Sequence, residues 1–230
     1  SGRTVGEGWH ARAGEPHAEA HALQAAGPAA RAATAYVTLE PCAHFGRTPP
    51  CADALLAAGV GRVVAAMRDP NPRVNGGGLA RLADAGVAVA AGLLEAEARE
   101  LNRGFVRRMQ AGRPWVTLKV ASSLDGRTAL ANGASQWITG DAARADVQKL
   151  RARASAIVTG RGTVLADDPS LTVRDPRLDL RGRQPLRVVL DAGLRTPATA
   201  RIVDAAAPTL LCAADGVADE RVQALRAAGA

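Results

Sequence analysis

The feature that most restricts this chain is a repeated alternation. Short runs rich in Val, Ile and Thr recur along the sequence, separated by Ala/Leu-rich segments with apolar residues at helical spacing. A strand followed by a helix can return to lie beside the first strand, so the pattern predicts stacked β-α units on a largely parallel or mixed sheet, an α/β fold. Strands are predicted over 3–9, 34–39, 62–67, 86–90, 115–120, 155–159, 186–190 and 208–213. Helices are predicted over 17–26, 51–58, 78–85, 93–109, 141–152 and 217–228. The stretch "QAGRP" (110–114) follows a long amphipathic helix and precedes a new strand, which predicts two domains, 1–111 and 112–230.

Composition removes several functional classes. The chain is 47% apolar, yet no run approaches the roughly 20 residues of a membrane span. No secretory leader is visible, and three cysteines cannot pair completely, so the thiols read as reduced and the compartment as the cytoplasm. A net charge of +7 raises the question of nucleic acid. However, 27 of the 29 basic residues are Arg, they are interspersed with acidic residues ("LEAEARELNRGFVRRMQ"), and six aromatics leave little to stack on bases. No nucleic-acid partner and no membrane partner are expected. The chain opens at Ser1 on a strand edge and closes on "LRAAGA", which ordinarily leads into another strand, so it reads as a fragment.

Two segments carry chemistry. In "GEPHAEAHAL" (14–23), Pro16 marks a helix start, which places His17 at the helix entrance and Glu19 in its first turn. In "LEPCAHFGRTPPCADALL" (39–56), Cys42 follows a strand end and Cys51 begins a helix, where the backbone N–H groups favour a thiolate. One imidazole and two thiolates, His17, Cys42 and Cys51, leave the fourth tetrahedral position of a zinc ion open, as a catalytic site requires. That position would hold a water activated near neutral pH, with Glu19 within reach of it. His-x-Glu with Pro-Cys…Cys matches the zinc deaminase signature in type and order, although eight residues separate the cysteines here instead of two. His21, one turn after His17, and His44, between the cysteines, are alternative ligands. Cys212, in the apolar run "PTLLCAA", reads as a small buried hydrophobe outside the metal site.

"PCAHFGRTPPC" with "PHAEAHAL" upstream closely resembles the pyrimidine deaminase domain of the bifunctional riboflavin-biosynthesis deaminase/reductase family, in which the long inter-cysteine loop is normal. "DPNPRVNGGGLARLADAGV", "RPWVTLKVASSLDGRTALANGASQWITG" and "GRGTVLADDPSLTVR" follow in the family's order. The resemblance implies a cytidine-deaminase-like three-layer domain followed by a dihydrofolate-reductase-like α/β domain. It implies zinc-dependent hydrolysis of the 2-amino group of 2,5-diamino-6-ribosylamino-4(3H)-pyrimidinone 5′-phosphate, with Glu19 as proton shuttle, then reduction of the ribosyl to a ribityl chain by NADPH. Matching positions implies Ala121, Trp137, Thr163 and Asp167 near NADPH, and Ser135, Arg151, Leu171 and Arg174 near the substrate. The two arginines suit its phosphate. Lys119, on the predicted strand 115–120 ("VTLKV"), is a further candidate to face the site. The resemblance also implies a homo-oligomer, dimer or tetramer. Family segments that supply an Asn for the pyrimidine, a glycine-rich NADP loop and a substrate-binding Glu have no counterpart between Ser1 and Ala230. Two other readings of the zinc motif are a deaminase acting on nucleic acid of the tRNA type and a non-catalytic zinc-stabilised binding module. "SQWITG" and "LADDPSLTVR" have no role in either.

Overall fold

The computed structural model describes residues 2–46, 48–72 and 74–230. The chain divides into two compact units, Ser1–Leu118 and Lys119–Ala230.

In the first unit, α1 (Ala18–Ala26) starts directly after His17, and Gly27 and Pro28 turn its end into a short 3₁₀ segment, Gly27–Ala30. Strands β1 (Thr34–Val37), β2 (Arg62–Ala65) and β3 (Ala88–Ala91) form a parallel sheet in the order β1-β2-β3, with Thr34 opposite Arg62 and Arg62 opposite Ala88. Parallel neighbours need long crossovers. These contain α2 (Cys51–Ala57) between β1 and β2, and α3 (Gly77–Asp84) between β2 and β3. The central strand carries three successive buried residues, Val63, Val64 and Ala65, as a strand covered on both faces should. Leu55 of α2 and Leu79 and Leu82 of α3 close over Val63 and Ala65, and Leu23 of α1 packs against the same cluster.

Two predicted elements of this unit differ in the structure. Residues 3–9 form no strand. Their backbone lies along α1: a Cβ on Gly6 would stand 2.3 Å from the Ala22 carbonyl, and one on Gly8 would stand 2.3 Å from that of Ala18. The alternating pattern of "TVGEGWH" is satisfied by glycine-on-alanine contact with a helix, not by a ladder. The predicted helix 93–109 is two helices, α4 (Glu95–Leu101) and α5 (Arg103–Ala111). The break is Asn102, whose side-chain amide donates back to the Ala98 carbonyl at 2.9 Å and competes with continued helix.

The second unit contains α6 (Asp141–Arg153), β4 (Ala156–Gly160), α7 (Arg161–Asp167), β5 (Leu186–Leu190), β6 (Thr209–Cys212) and α8 (Asp219–Ala228). Its sheet is parallel in the order β4-β5-β6. Val164 of α7, Val189 of β5 and Leu225 of α8 pack with Leu194, Ile202 and Val203 into one core. Helix α7 lies where no helix is predicted: its seven residues "RGTVLAD" follow β4 directly, and Gly162 in the first turn is a poor helix former. The predicted strand 115–120 does not form: the segment has no ladder partner among the described residues, and Trp115, Val116, Leu118 and Val120 are exposed. Lys119 is likewise exposed and belongs to no strand. Cys212 is also exposed, against expectation. Alternation along β6 turns Leu211 inward and Cys212 outward, so the apolar run reflects one face only.

On β5, the central strand, the Arg187 side chain is fully buried. Its guanidinium donates to Asp204 Oδ1 at 2.8 Å and to the carbonyls of Ser170, Arg201, Asp204 and Ala207. No helix among the described residues is long and apolar enough to cross a membrane.

Candidate metal centre

His17 is the N-cap of α1 in extended conformation, and its side chain makes no cap hydrogen bond. The imidazole is therefore free to turn away from the helix. Pro50 is the N-cap of α2, which makes Cys51 the first helical residue. Cys42 leaves the end of β1 by way of Leu39, Glu40 and Pro41, and its carbonyl accepts the Ala52 N–H at 3.1 Å. Each ligand candidate thus sits where a regular element starts or has just ended.

The three side chains converge. His17 Nδ1 lies 3.2 Å from Cys51 Sγ and 3.7 Å from Cys42 Sγ, and the three donor atoms lie within 4.8 Å of one another. A tetrahedral zinc with ordinary Zn–S and Zn–N bonds holds N and S donors about 3.6 Å apart, so the observed spacings fit that ion. Two sulfurs and an imidazole also suit zinc chemically. The Cys51 N–H points at Cys42 Sγ, at 3.4 Å. A hydrogen bond from Cys51 draws the Cys42 thiol down to about 5, against burial and with help from the Cys51 N–H and His17. The same shared proton pushes the Cys51 thiol up, as do burial and the negative charge of Glu19. A cation that binds both sulfurs would displace the proton that they share.

Glu19 is half-buried in the first turn of α1 and reaches Cys51. His17 and Cys42 line a cavity of about 280 Å³ together with His10, His44 and Thr48, while Cys51 is buried behind them. Neither His21 nor His44 joins the three-donor group among the described residues. Three residues at the site were not anticipated. Thr48 Oγ1 stands 3.3 Å from His17 Nε2, on the far side of the ring from the sulfurs. With Nδ1 toward a metal, Nε2 carries the proton and the Thr48 hydroxyl accepts it. His10 meets the His17 ring edge-on at 5.2 Å and bonds through Nδ1 to the Pro16 carbonyl at 3.0 Å. Glu40 sits behind Cys42. A threonine in a proline-rich loop, a histidine ahead of the motif and a glutamate at a strand end carry no local signal of these roles.

In the second unit the expected residues fall into small groups. Ser135 Oγ donates to Asp167 Oδ1 at 3.5 Å, and Asp167 shares a face of α7 with Thr163. Trp137 is exposed with the Arg144 guanidinium 4.7 Å from its ring centre. Ala121 is half-buried. Arg151 on α6 donates to the Thr172 carbonyl at 3.0 Å, and burial first, then the charge of Arg174, lower its pKa. Leu171, at φ 50, begins the segment that ends at Arg174. Gln148 accepts the Arg174 N–H, and Gln184 pairs with both backbone groups of Val173. The two glutamines, also unanticipated, splint this segment as a neighbouring strand would.

Comparison with known proteins places these features. The family model described as RibD C-terminal domain matches residues 114–228, half of the chain. The model described as cytidine and deoxycytidylate deaminase zinc-binding region matches residues 1–67. The chain belongs to the RibD family. It is 59% identical over 211 residues to the riboflavin biosynthesis protein RibD of Escherichia coli, covering 88% of this chain and 58% of that protein. It is 51% identical to RibD of Haemophilus influenzae, covering 94% and 60%. Among solved structures, Acinetobacter baumannii RibD superposes with a TM-score of 0.85 at 50% identity, covering 96% of this chain and 62% of that one. A Thermotoga maritima diaminohydroxyphosphoribosylaminopyrimidine deaminase/5-amino-6-(5-phosphoribosylamino)uracil reductase superposes with a TM-score of 0.84 at 38% identity, covering 93% and 61%. The chain spans about three fifths of the length of these RibD relatives. Its fold is that of RibD, a cytidine-deaminase-like α/β domain followed by a dihydrofolate-reductase-like one.

Proposed function

We propose that residues 1–111 form a zinc-dependent deaminase of riboflavin biosynthesis and residues 112–230 belong to an NADPH-dependent reductase. The observation that carries the reading is the convergence of His17 Nδ1, Cys42 Sγ and Cys51 Sγ near Glu19, at a cavity lined by His17 and Cys42. The substrate is a diaminopyrimidine ribotide, 2,5-diamino-6-ribosylamino-4(3H)-pyrimidinone 5′-phosphate. Bound zinc supplies Lewis acidity that brings water close to neutral pKa. Glu19 would take one proton from the attacking water and pass it to the ring nitrogen beside the reacting carbon as the C–O bond forms, then take the second from the new hydroxyl and give it to the amine as the C–N bond breaks, leaving a carbonyl and ammonia. His17 is kept in the orientation that turns Nδ1 to the sulfurs by its Nε2 contact with Thr48.

For reduction, NADPH carries the hydride and the protein supplies position. Ala121, Trp137, Thr163 and Asp167 face the cofactor in this proposal. Ser135, Arg151, Leu171 and Arg174 face the ribotide, with the two arginines on its phosphate. The closeness of Arg151 and Arg174 supports a shared anionic ligand, because two like charges are held together at a cost that an anion offsets. A three-donor site without His21 or His44 favours turnover over a closed, purely structural zinc module. Three free thiols support a reducing compartment, the cytoplasm. A dimer or tetramer rests on the resemblance alone.

The test is incubation of the chain with the diaminopyrimidine ribotide, with and without NADPH, followed by mass measurement. Exchange of the amine for oxygen is expected without NADPH; a gain of two hydrogens on its addition would show that the reductase acts in this chain as well, and amine loss alone would show a deaminase only. An unchanged ribotide under both conditions refutes the proposal.

A further inference from the structure

Behind Cys42 lies a carboxylate that the proposed chemistry does not use. Glu40 is 3% exposed, and its two oxygens accept four backbone N–H groups. Oε2 takes those of Asp69 at 3.1 Å and Gly76 at 2.9 Å, while Oε1 takes those of Gly78 at 3.1 Å and Leu79 at 3.2 Å. Gly76 is the N-cap of α3, and Gly78 and Leu79 lie in its first turn. Amides of a first helical turn have no partner within their own helix, so Glu40 satisfies them from a strand end 36 to 39 residues away. A carboxylate offers only acceptors and is among the few side chains that can take four such donors at once. The Glu40 N–H in turn donates to the Met67 carbonyl at 3.0 Å, continuing the β1–β2 register.

This knot stands two residues from a metal-ligand candidate, with a ring-locked residue between. Pro41 is fully buried and its φ is fixed. Its carbonyl is pressed against Gly78 so closely that a Cβ there would stand 1.7 Å from the oxygen. On the other side, the Cys42 carbonyl holds the Ala52 N–H of α2. The segment Glu40–Pro41–Cys42 is therefore clamped between the starts of α3 and α2, and little freedom separates the Glu40 carboxylate from the Cys42 sulfur. His17, on α1, makes none of these contacts.

We propose that Glu40 is a positioning residue for the metal centre: by tying β1's exit to the start of α3 it sets where the Cys42 sulfur stands relative to Cys51 and His17. The inference rests on the metal-site reading above. Glu40→Gln replaces an acceptor oxygen with an NH₂ group that faces N–H donors, so the clamp opens and Cys42 drifts while His17 and Cys51 stay.

The test measures metal, not turnover. Zinc affinity, by competition with a chromophoric chelator, is expected to fall on the order of 10–100-fold in Glu40→Gln, as for other groups that orient a ligand. In the cobalt-substituted chain, the sulfur-to-cobalt charge-transfer band is expected to fall from the strength of two thiolates toward that of one. Leu82→Ala weakens the same helix from its core side without touching Glu40. It should lower thermal stability yet leave affinity and spectrum intact. Should Glu40→Gln fail to fold, Glu40→Asp and Gly78→Ala disturb the clamp from either side and should show the same band loss. Wild-type affinity and spectrum in the folded Glu40 and Gly78 variants overturn the proposal, as does an equal band loss in Leu82→Ala. An unaltered chain that takes up no zinc overturns the metal-site reading itself and this inference with it.

Discussion

Replacing Glu19 with Gln separates a catalytic zinc site from a merely structural one. The substitution keeps the side chain's shape and leaves His17, Cys42 and Cys51 untouched. It removes the half-buried carboxylate in the first turn of α1 that reaches Cys51. That carboxylate is the group proposed to carry one proton from water to ring nitrogen and then a second to the leaving amine. General acid–base catalysis contributes about 10²–10⁴-fold, so with one residue serving more than one transfer the loss should lie in or above that range. At about 1.36 kcal/mol per tenfold, this corresponds to about 2.7–5.4 kcal/mol of barrier. A carboxylate that only complements the helix N-terminus would instead contribute about 0.3–1 kcal/mol to stability and nothing to turnover. Zinc content should not fall. The Cys51 thiol is pushed up mainly by its bond to Cys42, then by burial, and only after these by Glu19, so removing the negative charge eases thiolate formation. The assay is ammonia release per bound zinc, with zinc measured on the same sample. Turnover within a few-fold of the unaltered chain, at equal zinc, would refute the proton-shuttle assignment.

Other predictions follow from the same contacts. Single Ala replacements of His17, Cys42 and Cys51 should each abolish stoichiometric zinc by elemental analysis, whereas Cys212→Ala, on the outward face of β6, should keep it. Thr48→Val removes the partner of His17 Nε2 and should weaken zinc binding on the order of 10-fold with all three ligands present, read by chelator competition. Arg187→Ala removes a fully buried side chain and leaves four carbonyls without its donors, and should destabilise the second unit by about 2–5 kcal/mol in urea unfolding. The hydrogen bond from Arg187 holds the Asp204 carboxyl below its ordinary value, against burial. A depressed carboxyl stabilises fully above its unfolded pKa of about 3.9 and loses that contribution as pH falls through the lower folded value. The acid limb of stability should therefore flatten in Asp204→Asn, and an unchanged limb would count against this pairing. Asp204's side chain is 47% exposed, so the effect will be small.

What the sequence determined by itself is what depends on neighbours along the chain. Pro16 before His17 and Pro50 before Cys51 announce helix starts, and helix starts are where these side chains stand. The alternation of β-branched and Ala/Leu-rich segments announced the strands that pair, β1 to β6, within a few residues of their ends. Residue type and order were enough to bring His17, Cys42 and Cys51 together as candidates, because zinc chemistry asks for particular donor atoms. Only the tertiary structure decided which extended runs find a ladder. Residues 3–9 and 115–120 have strand composition, but pairing requires a second backbone edge, and none lies beside them among the described residues. It also decided which face of β6 is covered, leaving Cys212 outside, and it brought Thr48, His10 and Glu40 to the metal centre. The four amides on Glu40 come from residues 29 to 39 positions away. A contact of that separation is set by how α3 packs against β2, and no periodicity within either segment encodes it.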